Sequence, residues 1–66
     1  MNIDLNTPIA TNKATYTLIN YRKHGFQLFA ILIQGKNVNQ LRTFNDLAIA
    51  KTAMFNLVRG DKWNYL

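Results

Sequence analysis

From Thr15 onward, apolar and polar positions fall into two different rhythms. Thr15-Tyr16-Thr17-Leu18-Ile19-Asn20-Tyr21 is dense in β-branched and aromatic residues, the types that fit a pleated, half-buried surface. Arg22-Lys23-His24-Gly25 then reads as a turn, with Gly25 free to take positive φ. A second run, Phe26-Gln27-Leu28-Phe29-Ala30-Ile31-Leu32-Ile33-Gln34, is closed by Gly35-Lys36-Asn37. Two such runs around a short Gly-containing turn predict a β-hairpin. Residues 38–43 form a weaker third strand that completes a meander.

The second rhythm is helical. Leu47, Ala50, Met54, Leu57 and Val58 recur at three- and four-residue spacing, which places them on one face of a helix over residues 45–59. Asn45 or Thr43 is the expected cap, and Asp46 sits in the first turn where a negative charge suits the helix dipole. Arg59 and Gly60 mark the other end. Ala50 and Ala53 are small enough to let the helix lie close on a sheet.

Residues 1–14 are an Asn/Thr-rich lead-in that Pro8 keeps from being helical. Ile3 and Leu5 alternate with polar residues as an edge strand would, but a loosely attached arm is the expected form, since termini fray unless tied down. Residues 60–66 form a short tail in which Trp63 and Tyr65 suggest docking. The expected architecture is one small α+β domain over residues 1–66: a three-stranded antiparallel meander followed by one C-terminal helix on one sheet face.

The second strand changes the picture. Phe26, Leu28, Ala30 and Leu32 point one way and Phe29, Ile31 and Ile33 the other, so both faces are apolar while one helix covers one face. The surplus face marks an interface. Phe29, Ile31 and Ile33 are the residues expected there. A homodimer is the expected occupant; the N-terminal arm or the C-terminal tail are alternatives.

Composition narrows the function. The chain has no Cys, Ser or Glu, one His and three Asp, which removes disulfides, thiolate metal sites and most catalytic apparatus. His24 has no obvious orienting carboxylate for a role as base, and the scattered glycines make no phosphate-cradling loop. No enzyme, cofactor or metal site is expected. The N-terminus is acidic where a signal peptide would be basic, and no apolar stretch approaches the ~20 residues a bilayer requires, so a cytoplasmic protein without a membrane partner is expected. Nine Asn, with Ile and Lys, suggest an AT-rich gene of phage or mobile-element type.

Eight Lys and Arg against three Asp give a net charge of +5, a field that attracts anionic partners. Arg22, Lys23 and His24 at the hairpin turn, with Lys36 and Arg42, are the expected phosphate contacts of a nucleic-acid-binding surface. The order of strands and helix, with Arg42-Thr43-Phe44 leading into Asn45-Asp46-Leu47-Ala48, is loosely similar to the arm-type DNA-binding domains of integrases and to plant AP2 domains. The likeness covers about residues 15–60 and lies in element order and the small residues of the helix. It implies a sheet that enters the major groove with the helix behind it, although the Arg- and Trp-rich strand pattern of AP2 domains is missing. The rival expectation is a stoichiometric protein inhibitor or adaptor that binds a host enzyme or defence complex through the apolar sheet face.

Overall fold

A computed structural model describes residues 3–60 of the chain. Of the expected tail, residues 61–66, with Trp63 and Tyr65, lie outside those residues, whereas Gly60 is the last residue of the helix. The elements run β1 (Ile9–Ala10), β2 (Ala14–Lys23), β3 (Phe26–Gly35), β4 (Asn39–Phe44) and α1 (Leu47–Gly60). The sheet is antiparallel with strand order β1-β2-β3-β4, so the meander is preceded by a short fourth strand. The α+β architecture with a C-terminal helix on the sheet is as the sequence predicts.

The first hairpin is tighter than its sequence suggests. Arg22 and Lys23 still belong to β2, paired with Gln27 and Phe26, so the turn is His24-Gly25 alone. Both turn residues have positive φ, 54° and 83°. That is the two-residue geometry whose twist matches the flanking strands, and Gly25 supplies it without steric cost. At the opposite end of the sheet Gly35 is required for space. A Cβ there would lie 2.7 Å from the Lys13 carbonyl oxygen and 2.8 Å from Val38 Cγ1.

Asp46, not Asn45 or Thr43, caps α1. Its Oδ1 accepts hydrogen bonds from the backbone N–H of Ala48 (2.7 Å) and Ile49 (3.2 Å). It therefore satisfies two of the donors that the first turn leaves unpaired, a more direct role than dipole electrostatics. Arg59 in the last turn lies 5.4 Å above the Phe55 ring.

The core forms between α1 and one sheet face. Tyr16 and Leu18 from β2 and Ile31 and Ile33 from β3 meet Ala50, Met54, Leu57 and Val58 from the helix, and all are buried. The predicted helical stripe is the buried one; Leu47, its remaining member, is partly buried against the same cluster. Each large aliphatic side chain so buried contributes about 1.5–3 kcal/mol.

The N-terminal segment is not a loose arm. Ile3 is buried in the core cluster, Leu5 and Ile9 pack against it, and the Asn6 N–H donates to the Leu18 carbonyl at 2.7 Å. Asn6 takes positive φ (63°), a conformation that Asn tolerates better than most residues. The physical reason is edge satisfaction: without this segment the outer edge of β2 would expose its backbone groups, and the margin of the core beneath Leu18 would lose its cover.

Two substitutions test these local devices in chemical denaturation. Asp46→Ala removes the cap and should cost about 1 kcal/mol. Gly25→Ala places a Cβ in a left-handed turn and should cost about 1 kcal/mol, with no change in oligomeric state.

Candidate functional site

Cross-strand partners in an antiparallel sheet project from the same face, so the register sorts every strand residue to one side. Tyr16 faces Ile33 and Leu18 faces Ile31 across β2 and β3, and both pairs lie under the helix. The opposite face is built from five rows. They run Thr15/Gln34/Asn39, Thr17/Leu32/Leu41, Ile19/Ala30/Thr43, Tyr21/Leu28 and Lys23/Phe26. Among the described residues no element packs on this face.

This corrects the expected interface. Ile31 and Ile33 are fully buried in the helix-covered core, and Phe29 packs partly buried against it. The face left open is that of Phe26, Leu28, Ala30 and Leu32. The choice between the faces is made by β2. Its helix side offers Ala14, Tyr16 and Leu18, while its other side offers Thr15 and Thr17 beside Ile19 and Tyr21. Burying the threonine hydroxyls, with Gln34 and Asn39 in the same rows, would require partners that a helix surface does not supply.

The open face is apolar at its centre and polar at one end. Ile19, Tyr21, Leu28 and Leu32 are half-buried by one another, Phe26 is 71% exposed and Leu41 42%. Ala30, small and central, lies wholly beneath its neighbours. Lys23 is the one charged residue among these rows.

The five residues expected to contact phosphate are not brought together. Arg22, Lys23 and His24 do cluster at the hairpin tip, exposed. Arg22 lies on the helix side, where its Nε donates to Gln27 Oε1 (3.3 Å), whereas Lys23 lies on the open side. Lys36 sits in the β3–β4 turn at the opposite end of the sheet, about 30 Å away by strand rise. Arg42 pairs with Ile31 on the helix side, half-buried, with its Nε donating to Gln40 Oε1 at 3.2 Å. Its guanidinium is therefore directed away from the open face that the resemblance to DNA-binding sheets would place in a groove.

Beside the tip an open concavity of about 470 Å³ is lined by Lys23, His24, Phe26, Gln27, Leu28 and Asn45. It continues the open face at the Lys23/Phe26 row and combines an apolar floor with amide and cationic groups. Among the described residues no three His, Asp, Glu or Cys side chains lie close enough together to hold a metal ion. No helix among them is long and apolar enough to cross a membrane.

Comparison with known proteins gives no relative. No family model, curated protein or solved structure matches this chain. The geometry of its own surface therefore carries the functional reading.

Neighbouring residues on β3 test the assignment of faces. Ile33→Ala should cost about 2–5 kcal/mol in urea or guanidinium denaturation, because it opens a cavity beneath the helix. Leu32→Ala, one residue away on the open face, should cost well under half as much. Equal losses would mean that both faces are packed.

Proposed function

We propose that this chain is a non-enzymatic protein-binding module whose contact surface is the open face of the sheet. One observation carries the reading: Ile19, Tyr21, Phe26, Leu28, Leu32 and Leu41 form a continuous apolar surface that no described element covers. No described element uses this surface, and contiguous apolar patches of this kind mark sites of association. The chemistry is that of association, in which the face covers a complementary protein surface and excludes water from it.

The distribution of charge favours a protein over a nucleic acid. Phosphate contacts come from cations spaced along one surface, and affinity rises with their number. Here the open face carries Lys23 alone, while Arg22, Lys36 and Arg42 belong to the helix side or the far turn. The net charge of +5 then serves solubility and the approach to a partner more than the contact itself.

A photo-crosslinking residue placed at Leu32 and, separately, at Thr52 on the exposed side of α1 tests the reading. In cell extract, Leu32 should yield protein adducts several-fold more efficiently than Thr52. Equal labelling from the two positions would overturn the proposal. So would micromolar binding of single- or double-stranded DNA or RNA near 50 mM salt that Arg22→Glu with Lys23→Glu abolishes, the signature of phosphate recognition at the tip.

A further inference from the structure

We propose that the occupant of the open face is a second copy of this chain, packed sheet against sheet about a two-fold axis that crosses the strands at the Ile19/Ala30/Thr43 row. The inference rests on the reading of that face as a protein-docking surface and names its partner.

The order of the rows carries the argument. A two-fold axis lying between the sheets and perpendicular to the strands reverses the rows of one copy over the other. Leu28 then lies on Leu32, Tyr21 on Thr17, and the central row meets itself. The Lys23/Phe26 end lies over the Thr15/Gln34/Asn39 end of the other copy. There the ammonium group finds amide and hydroxyl oxygens as acceptors. The two Lys23 residues are held at opposite ends of the interface, so a chain of net charge +5 stacks with no like charges opposed at its centre. The surface is thus self-complementary in the sense an isologous dimer requires. An acidic protein partner would find one cation on it.

Relief and area agree with this arrangement. Ala30 is fully buried between Ile19 and Thr43 of its own row and Leu28 and Leu32 of the adjoining rows, so the middle of the face is low and ringed by larger side chains. Two aligned sheets pack about 10 Å apart with their inner side chains interdigitated and strands within about 30° of each other. Two ten-residue strands of ~33 Å and one six-residue strand of ~20 Å, at about 4.8 Å spacing, project roughly 400 Å² per copy, so the pair covers roughly 800 Å² in projection, close to the ~1,000 Å² total that distinguishes specific interfaces. Side-chain relief adds to that figure. The result is a four-layer helix-sheet-sheet-helix dimer of modest affinity.

Because the chain has no Cys, single-cysteine variants report contacts without background. Ile19→Cys, on the axis, should give a covalent dimer with a short bis-maleimide, whereas Lys23→Cys and Thr52→Cys should not. Sedimentation equilibrium of the unaltered protein should show a rise from the 7.6 kDa chain mass toward about 15 kDa between roughly 5 and 500 µM. Added salt should not weaken the association, because its contacts are apolar. Leu32→Glu should hold the protein at the monomer mass with its circular dichroism unchanged. Should that variant unfold, amide chemical shifts of the unaltered protein on dilution replace it, and they should move at Thr17, Ile19, Leu28 and Leu32 and stay fixed at Thr52. A monomer at the highest concentration, or equal crosslinking at residues 19, 23 and 52, overturns the dimer. If Leu32 still labels a different protein under those outcomes, the docking face stands and only its occupant was wrong; if it labels none, both fail.

Discussion

The constraint on which this structure turns is that β3 is apolar on both sides while the described residues form one helix. A sheet with a single covering layer must leave a face to solvent, and a domain of this size buries only about 60% of the surface its unfolded chain exposes. The helix therefore goes where each buried atom gains most. Tyr16, Leu18, Ile31 and Ile33 present a face on which the Tyr16 hydroxyl is the one polar side-chain group, and Ala50 lets α1 settle on it. The N-terminal segment fills the margin of that same side with Ile3, Leu5 and Ile9. Once the layer is placed, the opposite rows of the sheet are left uncovered by any other described element.

How far this could be read from the sequence depends on the range of the interaction involved. The helix was legible because its stripe is local and periodic, and Ala50, Met54, Leu57 and Val58 are buried as their spacing implies. The hairpin was legible in existence but not in length. Arg22 and Lys23 look like turn residues by composition, yet a His24-Gly25 turn with both φ positive lets the ladder continue to the last pair, Lys23 with Phe26. The cap was one residue off because Asn45 and Asp46 are both good caps, and the choice falls to whichever carboxylate or amide reaches the N–H groups of Ala48 and Ile49.

The open face was not legible because β3 alone does not say which of its faces the helix takes. Phe29, Ile31 and Ile33 are as apolar as Phe26, Leu28 and Leu32, so within that strand the two sides are nearly equivalent. The deciding signal was in β2, where Thr15 and Thr17 alternate with Tyr16 and Leu18. Threonine is comfortable on a strand but reluctant in a dry interior. Reading the two strands as a register, with Tyr16 opposite Ile33 and Leu18 opposite Ile31, would have identified the face. The N-terminal segment was hidden for a different reason: its attachment is a non-local match between the exposed edge of β2 and three isolated apolar residues.

The same threonines explain how an open apolar face is compatible with a free chain. Thr17 and Thr43 stand at the ends of the rows that hold Leu32, Leu41, Ile19 and Ala30, and the larger side chains half-shield one another, so the apolar centre is bordered by hydroxyls. Hydroxyls at the rim of such a surface keep their hydrogen bonds to water or to a facing amide when the centre is dried. An exclusively aliphatic face would associate with little discrimination, and a charged one would not dry at all. Alternation of Thr with Ile and Leu, ending in Lys23 at one side and Gln34 and Asn39 at the other, gives the face a direction. In the proposed dimer that direction would let register, and not hydrophobicity alone, select the partner.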